Sequence, residues 1–516
     1  MEIGSNIKAT ATELEALGIN IEQLKEDLTL PNPEFAAKMR FGKGRFYKKI
    51  DSHICYLKKI GDEYIIPRYY KGEPPYIYAD KYKAILGREM TCEHRIKLRE
   101  YQKEFFYAHS DVFEHCSGVL LEAPCGHGKT VMGIYTAMNL GRQTMVLVPT
   151  YYLAKQWKQR IEEITNASVV ILTSKATKIP IDRDFTIVVM DLFTCRTLPK
   201  ELVNNIGHII LDEAHRIGAE IYLPILDEIP AYYRTALTAT FRRADGVHRI
   251  LKYHFGKHIK MDNRFPKPFV YAVRTNVKIN GVISKNRPHT RLLDYLDNIG
   301  YSYHETKGAI EFTPTEELRK QVEKSYKEGV LNKIAYHEIV SCLKRCSEMS
   351  YSVVDSYLNE HSGRRKTAIR VIQECLDAGR TVLFLSKRKD TLRALHKYFA
   401  AYKPMLIVSE TNERSPEDEA YLQNTCPLIF GVTQLAKEGL DIDRLDTLIF
   451  HLPMKDTEQA IGRISRLCEG KKFPTALYLL DDSPITYAVY NNAKKFFKIN
   501  AEFMGERTLQ TIQTVL

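Results

Sequence analysis

The stretch that decides the fold is GVLLEAPCGHGKTVMGIYTAMNL, residues 118–140. It opens with an apolar run that predicts a buried strand, and apolar residues then recur with helical spacing until Gly141. The glycine-rich loop APCGHGKT, residues 123–130, therefore lies between a strand and a helix. This order is the context that a phosphate-binding loop requires, although Ala123 stands where such loops usually have glycine.

The residue types of this loop suit phosphate chemistry. Gly126 and Gly128 allow backbone N–H groups to converge on phosphate oxygens, and the start of the following helix favours negative charge. Lys129 is placed to reach the β- and γ-phosphates, and the Thr130 hydroxyl to bind Mg²⁺. We therefore predict an ATP site with Mg²⁺ as the accompanying metal. The alternative is a glycine-rich turn that binds nothing.

A second informative segment is IGHIILDEAH, residues 206–215. An apolar strand over 206–211 is predicted to deliver Asp212 and Glu213 at its end. Asp212 can hold the water shell of Mg²⁺, and Glu213 can orient or deprotonate the attacking water. Two adjacent acids after a strand more often form a solvated turn, but downstream of a phosphate loop they predict nucleotide hydrolysis.

A third segment, DTEQAIGRISR, residues 456–466, lies far along the chain. If it is helical, Gln459, Arg463 and Arg466 share one face. Two guanidinium groups on one face can stabilise the charge of a transferring phosphate, so we assign all three residues to the catalytic set. A surface helix with ordinary ion pairs is the alternative. Together with the phosphate loop, this segment predicts that ATP binds between two domains.

Short apolar runs alternate with helical patterns along most of the chain, which predicts an α/β fold with buried parallel sheets. Residues 91–265 form the first series, and a second series begins at FVYAVRT. Residues 280–365 read differently, as a helix and two strands followed by more helices. We divide the chain into a basic α+β module (1–90), a first α/β domain (91–265), the start of the second half with an inserted subdomain (266–365), and a second α/β domain (366–516).

Eight segments resemble, in order and spacing, the motif series of superfamily 2 helicases. They are LREYQ, APCGHGKT, VLVPTYYLAKQW, LDEAH, LTAT, VLFLSKRK, GVTQLAKEGLDID and QAIGRISR. GLDID, LTATFRRADG and LREYQ further resemble the DEAH-type branch that contains the XPB repair helicase and phage branch-migration helicases of the UvsW type. The resemblance covers residues 98–470. It implies two RecA-like parallel-sheet domains in tandem, with ATP bound by the first.

The resemblance also implies roles for single positions. Gln102 would read the adenine. The other implied roles are nucleotide contacts at Gly439 and Asp441, coupling residues at His215, Thr238 and Thr240, and strand contacts at Pro149, Thr150, Lys387, Arg388 and Thr433. By residue chemistry alone, these positions are equally ordinary turn, strand-end and helix-start residues.

Two further residues within the matching motifs receive no functional role. Ala460 stands where many family members have arginine after the glutamine, and this change removes no catalytic group. Trp157 shares a helix face with Leu153, four residues earlier, and this spacing fits core packing. We therefore predict that Trp157 has a structural place only.

The N-terminal module combines a helical pattern at residues 12–28 with the basic segment KMRFGKGRFYKKI, residues 38–50. Basic residues interleaved with aromatic ones can neutralise phosphates and stack on bases. The predicted nucleic-acid contacts here are Lys43, Arg45, Lys48 and Lys49. A solvated basic loop is the alternative.

Composition excludes several classes of protein. Of the 516 residues, 44% are apolar and 27% are charged, which is typical of folded globular chains. No apolar run is long enough to span a membrane, so we expect a cytoplasmic protein without a membrane partner. Ten scattered cysteines suit reduced thiols, and the pair Cys342 and Cys346 predicts a helix face, not a structural metal. The net charge of +12 favours a polyanionic partner.

These patterns together predict an ATP-dependent DNA helicase or translocase that acts on forked or branched DNA, with 3′ to 5′ polarity implied by the resemblance. RNA is the first alternative partner, because DEAH segments also occur in RNA helicases. A nucleic-acid-binding ATP switch that clamps without unwinding is the second alternative.

Overall fold

Among the described N-terminal residues, five strands form one small sheet and two more form a separate pair. In this computed structural model the described residues are 1–32, 35, 51–74, 81–124, 126–194, 197–214, 219–241, 246–408, 415–433, 442–454, 457–466 and 468–513. They form two units, Met1–Arg264 and Phe265–Leu516. The elements of the N-terminal module are β1 (Glu2–Ile3), β2 (Asn6–Thr10), α1 (Ala11–Ala16), α2 (Ile21–Asp27), β3 (Thr29–Pro31), β4 (His53–Cys55), β5 (Lys58–Ile60), β6 (Glu63–Pro67) and β7 (Lys81–Tyr82).

The helical pattern of residues 12–28 is divided between two helices. Gly18 has a φ of 68°, which ends the first helical segment, and the Asn20 side chain accepts hydrogen bonds from the first N–H groups of α2. The sequence pattern did not reveal this break, because apolar residues continue across it with helical spacing. The module sheet has the order β5-β6-β2-β1-β7, and β3 pairs with β4.

The first unit also contains a seven-stranded sheet, as far as its residues are described. Its strands are β8 (Gly118–Glu122), β9 (Thr144–Val148), β10 (Val169–Leu172), β11 (Phe185–Val189), β12 (His208–Leu211), β13 (Tyr233–Thr238) and β14 (Lys257–Lys260). The helices that accompany them are α3 (Glu100–Ala108), α4 (Ser110–His115), α5 (Lys129–Leu140), α6 (Tyr151–Ile164), α7 (Lys200–Asn205), α8 (Ala219–Glu228) and α9 (Val247–Phe255). Strands β9 and β11 are buried along their whole length, as expected for a parallel sheet covered on both faces.

The second unit has its own seven-stranded sheet within the described part of the chain. The described residues of this unit contain ten strands, of which seven form the large sheet and three a smaller one. The strands are β15 (Phe269–Lys278), β16 (Val282–Ser284), β17 (His304–Glu305), β18 (Ala309–Glu311), β19 (Val382–Ser386), β20 (Met405–Ile407), β21 (Leu428–Val432), β22 (Thr447–Phe450), β23 (Thr475–Asp482) and β24 (Glu502–Arg507). Its helices are α10 (Thr290–Asn298), α11 (Glu316–Lys327), α12 (Lys333–Ser347), α13 (Tyr351–Glu360), α14 (Ser362–Asp377), α15 (Lys389–Tyr398), α16 (Pro416–Asn424), α17 (Glu458–Ile464) and α18 (Pro484–Asn500).

The two large sheets have the same topology. The first has the order β10-β11-β9-β12-β13-β8-β14 and the second β20-β21-β19-β22-β23-β15-β24, and all neighbouring strands are parallel. If the strands of each sheet are numbered along the chain, both orders become 3-4-2-5-6-1-7. This repetition confirms the predicted α/β fold of two RecA-like parallel-sheet domains in tandem.

The insertion lies within the second half, between its first and second sheet strands, β15 and β19. It contains the antiparallel sheet β16-β18-β17 and helices α10 to α13. The sequence predicted two strands here, and the structure has a third. Cys342 and Cys346 are buried in the core of this subdomain, where their thiols donate to the carbonyl oxygens of Pro288 and Phe312.

None of the helices in the described ranges is both long enough and apolar enough to cross a membrane.

Candidate nucleotide and nucleic-acid site

The phosphate loop begins where β8 ends and leads directly into α5. Gly126 and Gly128 have φ angles of 83° and 78°, a region that favours glycine. The ammonium group of Lys129 donates a 3.1 Å hydrogen bond to the carbonyl oxygen of Ala123, so the side chain folds back across the loop. Ala123 itself is fully buried and is not among the residues with positive φ, which explains why alanine is tolerated there.

The side-chain amide of Gln102 bridges this loop and the start of α3. Its Nε2 donates a 2.9 Å hydrogen bond to the carbonyl oxygen of His127, and its Oε1 accepts one from the Arg99 backbone N–H. A Cβ atom on Gly128 would lie 2.6 Å from Gln102 Nε2. Gln102 therefore supports the loop from α3, and its reading of adenine stays a prediction.

Asp212 follows β12 and lies in a nearly closed environment, with a relative exposure of 4%. Its Oδ2 accepts a 2.7 Å hydrogen bond from the Trp157 indole N–H, and its Oδ1 accepts a 2.8 Å bond from the Glu213 backbone N–H. Burial raises the pKa of the Asp212 carboxyl, and the Glu213 carboxylate adds to the rise. The Trp157 hydrogen bond and the charge of Lys129 oppose it and favour the carboxylate.

Glu213 has an unusual backbone conformation. Its φ of 51° is one of three positive values among the non-glycine residues that the structure describes. Such a conformation costs about 1 kcal/mol or more and is often retained at functional sites.

Thr238 connects the end of β13 to the phosphate loop. Its carbonyl oxygen accepts a 3.0 Å hydrogen bond from the Ala123 N–H, and its hydroxyl donates to the Thr240 carbonyl oxygen at 2.8 Å. The structure therefore joins Thr238 and Thr240 in one turn beside the loop. Their coupling role remains a prediction.

Pro149 and Thr150 lie between β9 and α6. The Thr150 hydroxyl accepts a hydrogen bond from the Leu153 N–H, so it caps the helix. The next residue, Tyr151, is 51% exposed, and the Lys155 ammonium lies 5.1 Å from the centre of its ring. Pro149 and Thr150 are half-buried, and their contact with a nucleic-acid strand remains a prediction.

The second unit contains the two candidate catalytic arginines. Gln459 and Arg463 lie on α17, but this helix ends at Ile464, so Arg466 lies beyond its last turn. The prediction of one helical face for all three is therefore wrong at Arg466. Its guanidinium is 3.3 Å from Asp443 Oδ1, and Lys471 donates to its carbonyl oxygen at 2.8 Å.

Lys387 and Arg388 face the inserted subdomain. The Arg388 guanidinium donates to Asp355 Oδ2 at 2.8 Å and to the Ser356 hydroxyl at 2.5 Å, both on α13. The Lys387 ammonium lies 4.8 Å from the centre of the Tyr351 ring. The sequence predicts either a strand contact or an ordinary helix start for this pair, and no local pattern indicates the contact with the insertion.

Several predicted site residues have little or no structural description. Thr433 is half-buried directly after β21. Seven further predicted site residues lie outside the described ranges. They are His215, Gly439, Asp441, Lys43, Arg45, Lys48 and Lys49.

Trp157 is the functional candidate that the sequence analysis assigned to the core alone. Its burial and helical spacing fit that assignment, since it is 1% exposed. However, its N–H reaches a carboxylate 55 positions later in the sequence, a contact that no local pattern encodes. The tryptophan itself is the one available signal, because a buried indole N–H usually has a hydrogen-bond partner.

Several known proteins are similar to parts of this chain. Residues 95–243 match the family model described as Type III restriction enzyme, res subunit. A protein of Acanthamoeba polyphaga mimivirus, provisionally named ATP-dependent RNA helicase L396, is 23% identical over 473 residues, which cover 89% of this chain and 78% of that protein. The DNA 3'-5' translocase XPB2 of Sulfurisphaera tokodaii is 30% identical over 186 residues, which cover 34% of this chain and 40% of that protein.

Among solved structures, the Pyrococcus furiosus Hef helicase domain aligns with a TM-score of 0.45 and 15% identity, over 77% of this chain and 100% of that one. The chain spans less than half the length of the S. tokodaii relative. The matching segment, residues 95–243, contains the phosphate loop and the Asp212–Glu213 pair. The chain is thus similar to helicases, including XPB-type and viral ones.

Proposed function

We propose that this protein is an ATP-dependent superfamily 2 helicase or translocase of the DEAH type that acts on DNA. One observation carries the proposal. The phosphate loop and the Asp212–Glu213 pair both follow strands of one parallel sheet, where the carboxyl ends of strands form ligand sites. The relatives of this chain are named as a helicase and a translocase. These names support nucleic acid, and not a small molecule, as the partner on which ATP hydrolysis acts.

The donor set fits ATP with Mg²⁺. The start of α5 and the two positive-φ glycines present backbone N–H groups, which suit phosphate oxygens. The Thr130 hydroxyl and the Asp212 carboxylate are the oxygen donors that Mg²⁺ prefers. The bound ion would neutralise charge on the phosphates during transfer. Glu213 is then the residue that orients or deprotonates the attacking water.

Arg463 and Arg466 of the second unit are proposed to stabilise the transferring phosphate, with Gln459 as a further contact. The Arg466 guanidinium pairs with the Asp443 carboxylate, and the Lys471 ammonium donates to the backbone carbonyl oxygens of Arg466 and Asp443. Burial lowers the pKa of Lys471 to about 8, so part of the positive charge around Arg466 is lost at mildly alkaline pH.

Forked or branched DNA is the proposed substrate, and 3′ to 5′ the proposed polarity. The XPB2 relative is a DNA 3'-5' translocase by name. The net charge of +12 and the basic segment at residues 38–50 suit a polyanion. The finer placement beside XPB and the UvsW-type phage helicases rests on LREYQ, LTATFRRADG and GLDID.

RNA is the second candidate substrate, for one reason. The relative that covers 89% of this chain is provisionally named as an RNA helicase. The two candidates share the ATP site, so only the nucleic acid that stimulates hydrolysis separates them.

The test is ATP hydrolysis by the wild type without nucleic acid and with single-stranded DNA, forked DNA, a four-way junction or RNA. Arg466→Ala is the test variant. Arg370→Ala, on α14, is the matched control, because Arg370 is an exposed arginine of the same unit with a single ion pair to Glu374. We expect the strongest stimulation with forked or junction DNA, a loss in Arg466→Ala and no loss in Arg370→Ala.

Stimulation by RNA alone would move the assignment to the RNA candidate. ATP hydrolysis that ignores both polymers would overturn the helicase proposal. Stimulated hydrolysis without displacement of any strand would instead favour the ATP switch that clamps without unwinding.

A further inference from the structure

The Trp157 indole connects the helix after the phosphate loop with the first acid of the hydrolytic pair. Its N–H lies 2.7 Å from Asp212 Oδ2, and both side chains are almost fully buried, at 1% and 4% exposure. The other carboxylate oxygen accepts from the Glu213 N–H. Each oxygen of Asp212 therefore has one donor from the protein, so the plane of the carboxylate is fixed.

The surroundings of the indole are shaped to hold it there. Gly133 lies on α5, and a Cβ atom at this position would come within 3.0 Å of Trp157 Cη2 and 2.9 Å of Leu237 Cδ1. Glycine thus leaves the space that the six-membered ring fills. The ring packs against the helix that begins with Lys129 and Thr130, while its N–H faces Asp212.

We propose that Trp157 is a positioning residue that orients the Asp212 carboxylate for Mg²⁺ and reports on the state of that carboxylate. A carboxylate ligand depends on partners outside the metal for its orientation, and loss of such a partner typically costs about 10- to 100-fold in metal affinity or activity. The reaction in which Asp212 takes part rests on the proposed function. The hydrogen bond between the two side chains does not.

The first experiment observes the bond directly and needs no nucleotide. Trp157 is the one tryptophan of the chain, so an ¹H–¹⁵N spectrum of the full-length protein contains one indole N–H signal. We expect this signal to exchange slowly with solvent and to shift in Asp212→Asn, which removes the carboxylate charge. A signal that exchanges rapidly and does not move in Asp212→Asn would overturn the proposal.

The second experiment separates positioning from packing. Trp157→Phe keeps a buried aromatic ring but loses the N–H donor. Ile161→Val, one turn further along α6, is the matched control, because Ile161 is fully buried and also lies on α6. Replacing the single tryptophan biosynthetically by benzothienylalanine, in which sulfur takes the place of the N–H, tests the donor with the ring shape retained.

The readouts are ATP affinity by calorimetry with and without Mg²⁺, and the Mg²⁺ concentration for half-maximal hydrolysis. We expect Trp157→Phe and the sulfur analogue to reduce the Mg²⁺-dependent part of ATP affinity about tenfold or more, and to leave the affinity without Mg²⁺ unchanged. Ile161→Val should change neither affinity. Equal Mg²⁺ dependence in all variants would overturn the positioning role. If the wild type binds Mg²⁺-ATP but does not hydrolyse it, the proposed function fails while the calorimetric result still decides this inference; if it does not bind Mg²⁺-ATP at all, both fail.

Discussion

The side-chain amide of Gln102 donates a 2.9 Å hydrogen bond to the carbonyl oxygen of His127, so helix α3 holds the phosphate loop directly. Gln102→Ala removes this support, and a buried hydrogen bond is worth about 1 kcal/mol. We expect the KM for ATP to rise by roughly fivefold with a small loss of stability. Steady-state kinetics with ATP and GTP test this effect. A larger loss for ATP than for GTP would indicate that Gln102 also reads adenine, and an unchanged KM would contradict the supporting role.

Gly128→Ala is expected to impair nucleotide binding. The φ of 78° and the 2.6 Å approach to Gln102 Nε2 both oppose a Cβ atom, and the left-handed conformation alone costs a non-glycine residue about 1–2 kcal/mol. We expect ATP affinity to fall by more than about tenfold. Gly141→Ala is the control, because Gly141 has a similar φ of 61° but no atom within 4 Å of the added Cβ. Equal effects of the two changes on ATP affinity, measured by calorimetry, would contradict this prediction.

The ion pair of Arg388 and Asp355 is expected to stabilise the contact between the insertion and the second α/β domain. The bond is 2.8 Å, and the Asp355 side chain is 9% exposed while that of Arg388 is 39% exposed. A double-mutant cycle with Arg388→Ala and Asp355→Ala should give a coupling energy of about 1 kcal/mol. Urea unfolding followed by circular dichroism measures it. Strictly additive effects of the two changes would show that the pair contributes nothing.

Acid should destabilise the first unit through His208. This imidazole is fully buried between the hydroxyls of Thr144 and Thr235, and burial lowers its pKa to about 3. The unfolded chain, with a histidine pKa near 6.5, binds a proton that the folded state excludes. Stability is therefore complete above about pH 6.5 and is lost as the pH falls toward 3, by about 2 kcal/mol at pH 5.

His208→Gln removes this titration while keeping a polar group beside the two threonines. We expect its unfolding free energy to depend less on pH between 7.5 and 5 than that of the wild type. Urea unfolding followed by the fluorescence of Trp157 is the measurement, because the single tryptophan lies in the same unit as His208. An identical pH dependence in both proteins would assign the acid sensitivity to other groups.

The local features of the site follow from the sequence. The strand, loop and helix around residues 118–140 were predictable because apolar spacing and the glycine positions are all local signals. The strand before Asp212 was predicted for the same reason. The strand order 3-4-2-5-6-1-7 was not predicted, because it depends on which distant strands pair.

The missed features all depend on partners that are distant in the sequence or on where a helix ends. Trp157 has a core-type position, and only the fold shows that its N–H meets Asp212. Arg388 precedes α15, and its partner Asp355 lies 33 positions away on α13. Arg466 was placed on a helix face because the spacing continues, whereas the helix stops two residues earlier.

The position of the insertion bears on how many nucleotides one chain can hold. In the first sheet, the connection from the first strand to the second contains the phosphate loop and α5, whereas in the second sheet the same connection contains the inserted subdomain. The segment after β15, KINGVISK, residues 278–285, has no glycine-lysine-threonine sequence. Among the described residues, the strand, glycine loop and helix of the proposed ATP site occupy this connection in the first unit. The proposed site therefore predicts a stoichiometry of one ATP for each polypeptide.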